Sequence, residues 1–82
     1  MASLRDVLNH IGKPVEIRRG ESVVATVLGT ERAGTALLEP KAEPQVGDEI
    51  RLSDGRRFRV VTVEAEVVKE KVDHYRARIV PL

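Results

Sequence analysis

Two histidines, three serines, an alternating pair of glutamates and a cluster of arginines are the residues of this 82-residue chain with chemistry to offer. His10 falls near the end of an expected N-terminal helix, where its cationic form would interact favourably with the helix dipole. His74 precedes the last expected strand and is read on the outward face, with no second His beside it. The chain has no Cys, so thiol nucleophiles, disulfides and thiolate metal sites are excluded, and two His are too few for a typical zinc site. Glu64 and Glu66 share one face of a strand, as paired general acid-base carboxylates would. Their expected neighbours are arginines, which would hold both ionised and unfit as proton donors. Ser3, Ser22 and Ser53 each have a capping or turn role, and no phosphate-binding loop, dinucleotide fingerprint or nucleophile elbow is present. A single domain of this length buries only ~60% of its unfolded surface, so a large internal site would compete with the core for apolar residues. The expectation is a non-enzymatic protein with no cofactor and no metal.

Arg51, Arg56, Arg57 and Arg59 form the one basic concentration, which could meet nucleic-acid phosphate or an acidic protein surface. Asp48, Glu49 and Asp54 are interleaved with it. Over the whole chain, 14 Lys and Arg stand against 13 Asp and Glu, and neither half carries a basic arm or an acidic tail. One Phe, one Tyr and no Trp leave no stacking platforms for single-stranded nucleic acid. These features favour protein partners, with a small nucleic-acid-binding β-barrel or a bacterial adaptor domain as the alternative reading. No apolar run reaches signal-peptide or bilayer-spanning length, so the expected protein is made in the cytoplasm and does not enter a membrane.

Leu4, Val7, Leu8 and Ile11 follow the i, i+3, i+4, i+7 spacing of a helix over residues 3–11, with Ser3 as its cap and Gly12 and Pro14 as its stop. Two turns are not stable alone, so this stripe must lie on the sheet or on another subunit. Residues 15–80 read as a β-barrel. Strands are expected at 15–18, 22–28 and 35–39, the second buried on both faces, and residues 40–44 as an exposed extended crossing. A three-residue loop, Ser53-Asp54-Gly55, pairs Ile50 with Phe58 and keeps Ile50, Leu52, Phe58 and Val60 on one face; a two-residue loop would not. The alternation then slips at Val60-Val61, the mark of a bulge that bends a strand. Val63, Ala65 and Val67 match Ile79, Ala77 and Tyr75 in one register, with Glu64 opposite Arg78, Glu66 opposite Arg76 and a turn over residues 69–73. About six strands and a short N-terminal helix make a mainly β fold, a small barrel or two-sheet roll of SH3-like or OB-like type.

Val46-Gly47-Asp48-Glu49-Ile50, then Asp54-Gly55-Arg56-Arg57-Phe58-Arg59-Val60, and a closing strand ending Tyr75-Arg76-Ala77-Arg78-Ile79, resemble the small β-barrel structural proteins of tailed phages. The resemblance spans about the second half of the chain. It implies a virion component, a head-completion, head-tail joining or stopper protein, made in the host cytoplasm and assembling as a homo-oligomer or ring through protein contacts. The partner-binding residues expected on this reading are Leu4, Val7, Leu8 and Ile11 on the helix and Arg51, Arg56, Arg57 and Arg59 on the hairpin.

Overall fold

A computed structural model describes residues 4–82, the side chain of Arg5 excepted; Ser3, the expected helix cap, lies outside the described residues. Helix α1 spans Leu4–Ile11 and is followed by β1 (Lys13–Arg19), β2 (Ser22–Arg32), β3 (Thr35–Leu38), a 3₁₀ turn (Pro40–Ala42), β4 (Glu49–Leu52), β5 (Arg57–Val68) and β6 (Lys71–Pro81). The six strands close into an antiparallel barrel in the order β1-β2-β3-β6-β5-β4, with β4 returning to β1. Each half of the chain is a three-stranded meander, and the two meanders meet along β1–β4 and β3–β6. The mainly β barrel with one short helix is therefore as expected, and the strand order supplies the topology.

Alternation along the strands decides what faces inward. Val15 and Ile17, Val27, Ala36 and Leu38, Ile50, Phe58 and Val60, and Ala77 and Ile79 form the core cluster, together with Ala42 from the connection. The β4–β5 hairpin has the three-residue register: Ile50 pairs with Phe58, the Leu52 N–H donates to the Arg56 carbonyl, and Gly55 takes a φ of +94°. The bulge also falls where the alternation slips, with Val61 the extra residue between Val60 and Thr62. It ends the inward set at Val60 and resumes it at Val63, which packs against the core.

β3 and β4 stand on opposite sides of the ring, so the chain between them must cross one end of the barrel. This corrects the reading of residues 40–44 as an exposed extended strap. Pro40 starts a 3₁₀ turn, and Ala42 and Pro44 are buried as a plug. A proline at the first position of a turn loses no bond it would have made. Glu39 fastens the start of the plug: its N–H donates to the Leu28 carbonyl at 3.1 Å and its carboxylate accepts the Leu28 N–H at 2.7 Å, continuing β3 by one side chain.

β3 and β4 have four residues each and their neighbours up to twelve, so the β1–β2 and β5–β6 hairpins rise beyond the closed part as two arms. Antiparallel pairing around the ring makes β1, β3 and β5 run the same way, which puts both hairpin tips at the plugged end. The molecule is accordingly long, 36 × 23 × 22 Å. Here β2 departs from expectation: Val23 and Val24 are exposed and only Val27 of the run is fully buried, because the first half of β2 has no strand opposite it on one side. The β5–β6 register also differs by two residues. Val63 pairs with Ala77 and Ala65 with Tyr75, placing Glu64 opposite Arg76 and Glu66 opposite His74. The cause is a turn of two residues, Lys69 and Glu70, followed by a bulge at Asp73; the turn residues have φ of 50° and 67°, the type I′ geometry that usually selects Asn-Gly. Replacing Glu70→Gly should therefore raise stability by about 1 kcal/mol, read as a higher urea midpoint with an unchanged m-value.

Candidate functional site: an apolar cleft and its charged rim

Helix α1 packs on β2 and β6, the strands flanking short β3. Leu8 is 1% exposed, so of the four stripe residues it is spent inside the fold and is not available to a partner. Leu4 and Val7 are half-buried, while Ile11 at the helix end is 61% exposed. The helix also explains His74, which does alternate to the outside of β6 but is buried there, contrary to the solvent-facing reading. Its Nδ1 lies 2.8 Å from Asp73 Oδ2, the geometry of an N–H donating to the carboxylate, and its Nε2 has no partner. Among the described residues no group lies within hydrogen-bond reach of that nitrogen to be activated.

Exposed Ile11 stands at the mouth of a cleft of about 270 Å³ between the start of β1 and the β4–β5 hairpin. Pro14, Val15, Gly29 and Leu52 give its apolar walls, and Lys13, Glu31, Asp54 and Arg56 its charged margin. The fold thus brings one residue of the expected helix surface and one of the expected arginine surface to a single depression, although 45 positions separate them in sequence. An apolar floor with a polar rim is the anatomy of a protein interface.

The arginine cluster is largely neutralised. Arg57 donates through Nε and Nη2 to both oxygens of Glu49 at 2.9 and 3.0 Å, and Arg51 reaches the same carboxylate at 3.3 Å. Arg56 bonds Asp54 at 2.8 Å and Glu31 at 3.1 Å, and stands 5.8 Å over the Phe58 ring. Arg59, opposite Glu49 in the ladder, donates to the Gly47 carbonyl and is the one of the four with no ion pair among the described residues. Glu31 on β2 enters this network in a place the sequence interleaving assigned to Asp48.

Asp48 serves elsewhere. It is 2% exposed, and its two oxygens accept Arg19 Nε and Nη2 at 2.9 Å each, with Gln45 N–H at 2.8 Å. Its backbone carbonyl accepts the Val60 N–H and its own N–H donates to the Gln45 carbonyl. Gly47, with φ of +94°, makes the turn that aims it inward. The Gly47-Asp48 turn is therefore a closure for the barrel, while Val46 before it is 66% exposed.

No family model, curated protein or solved structure matches the chain. Electrostatics within the chain give a direct check on the site's geometry. The hydrogen bonds from Arg57, opposed by partial burial and helped by Arg51, lower the Glu49 carboxyl from 4.5 to about 2. Burial pushes Asp48 up, but the Arg19 fork and the Gln45 N–H outweigh it and the net shift is downward; Asp54 is lowered by the N–H and guanidinium of Arg56. A carboxyl with a depressed folded value stabilises the fold above its unfolded value and loses that contribution as pH falls through the folded one. Thermal midpoints should thus be flat above about pH 4.5 and fall between there and pH 2, with a shallower slope in Glu49→Gln; a midpoint constant down to pH 2 would contradict these pairings.

Proposed function

We propose that this chain is a non-enzymatic structural protein of a phage or prophage virion, a head-tail connector, stopper or related tail or capsid-associated component that works by protein-protein assembly. The observation that carries the reading is the cleft at Ile11: a large apolar side chain held 61% exposed at the end of a helix otherwise committed to the fold, beside half-buried Leu52 and under Arg56. Arg is a common anchor of interface hot spots, and a well-placed aliphatic beside it gives a partner a desolvated pocket to fill. The D-G hairpin and final alternating strand of the phage-like pattern form the wall of this cleft and the adjoining part of the barrel. Assembly at this surface needs no catalytic group, in keeping with residues whose charges are spent on one another.

Nucleic acid is the weaker reading, since binding phosphate through Arg51, Arg56 and Arg57 would first require breaking their bonds to Glu49, Asp54 and Glu31. The test pairs a particle with a variant. Mass spectrometry of virions from a lysate expressing the chain should detect it in stoichiometric amount, and Ile11→Asp should fold with an unchanged thermal midpoint yet be missing from particles. Particles lacking the wild-type chain, or salt-sensitive binding of the purified chain to DNA at 50 mM salt, would overturn the proposal.

A further inference from the structure

Both arms of the molecule end in strand edges that, among the described residues, pair with no further strand. β2 is paired with β1 from Ser22 to Gly29, with Val24 bulged out of the ladder, and with β3 only from Gly29 onward; Glu39 occupies Leu28, and the outer edge of residues 22–27 has no strand paired to it. β5 is paired with β4 as far as Arg59, and Val60 bonds the backbone of Gly47 and Asp48; from Thr62 onward its ladder is to β6 alone. Both open edges are rich in exposed valine: Val23 48% and Val24 44% on β2, Val67 60% and Val68 52% on β5. Folded chains normally guard such edges with charge, proline, a bulge or a covering element; residues 22–28 contain neither charge nor proline, and their one such device is the bulge at Val24.

We propose that copies of this chain join by strand addition, the open β5 edge of one pairing antiparallel with the open β2 edge of the next, to form a ring. Direction supports this. β2 and β5 run oppositely, and their open edges lie at the same, plugged end. Two copies in the same orientation therefore present antiparallel partners to each other, and repetition of that head-to-tail contact by rotation about an axis along the barrel is the arrangement that builds a ring.

Charge selects β2 over a second β5 as the occupant. Antiparallel pairing of two β5 edges about Ala65 sets Glu64 opposite Glu66 twice, and centring on either glutamate sets it opposite itself, which is unfavourable. Pairing with β2 sets both glutamates opposite an uncharged segment. It also brings Lys69 and Lys71 at one tip beside Glu21 at the start of the neighbour's β2; among the described residues none of these three has an ion pair within its own chain. The contact uses surfaces distinct from the Ile11 cleft, so a ring in solution would stand even if the chain were found in no particle.

Two doubly substituted chains test it, one carrying Val67→Lys with Val68→Lys, the other Val23→Lys with Val24→Lys; all four side chains are exposed. Light scattering of the wild-type chain at about 100 µM should give a closed species larger than a dimer, and each substituted chain alone should be monomeric with association weakened at least tenfold. Mixed together, they should form a one-to-one heterodimer and stop, because each keeps the edge the other has lost. The chain has no cysteine, so Val67→Cys and Val23→Cys chains give a second reading: a short bis-maleimide should join one kind to the other and neither kind to itself. A monomeric wild-type chain, self-association of the β2-substituted chain, failure of the mixture to pair, or cross-linking of Val67→Cys chains among themselves would overturn the proposal.

Discussion

The structure depends on a buried carboxylate. A six-stranded ring whose third and fourth strands lie opposite each other needs a connection across one end, and a connection that crosses an apolar core carries backbone groups that must find partners. Asp48 provides them at the far side of the crossing, taking the fork of Arg19 from the end of β1, the N–H of Gln45 from the crossing itself and, through its carbonyl, the N–H of Val60 in β5. Three segments distant in sequence are thereby held together at one point. A buried charge left with fewer partners would cost several times what a surface ion pair contributes, which makes this closure an all-or-none feature.

Once the barrel is closed in this way, the distribution of the remaining residues follows. Four-residue β3 and β4 suffice to complete the ring beneath the plug, so the longer strands overshoot and leave valine edges in the open. The helix fills the outer face beside short β3 and spends Leu8 there, leaving Ile11 at its end for the cleft. The charges of the β4–β5 hairpin neutralise one another across strands. Among the described residues the fold leaves apolar surface and backbone edge in the open, the materials of protein assembly.

Much of this architecture was readable from local patterns. The Asp54-Gly55 hairpin register followed from keeping Ile50 and Phe58 on one face, and the bulge at Val61 from the slip in alternation, because a period of two leaves no other arrangement for a half-buried strand. The β5–β6 register differs by two residues, since Lys69 and Glu70 adopt a tight turn that residues of their type rarely signal and Asp73 bulges out of the ladder after it. Residues 40–44 were misread because a proline-rich stretch looks alike whether it skirts a barrel or plugs it; only the strand order tells them apart. Of the site, Arg56 and Ile11 were each visible, but their meeting at one cleft was not. The Arg19–Asp48 pair, 29 positions apart, gives no signal beyond the Gly47-Asp48 turn, and Val67 alternates with the inward set although the height of the arm leaves it exposed.

The closure by Asp48 can be measured by urea unfolding of a double-mutant cycle of Asp48→Ala, Arg19→Ala and the combined variant. If the carboxylate and the fork close the barrel as one unit, Asp48→Ala should lower the midpoint strongly, and adding Arg19→Ala to it should lower the midpoint little further. Strictly additive losses, or an Asp48→Ala chain with the wild-type midpoint, would contradict the account.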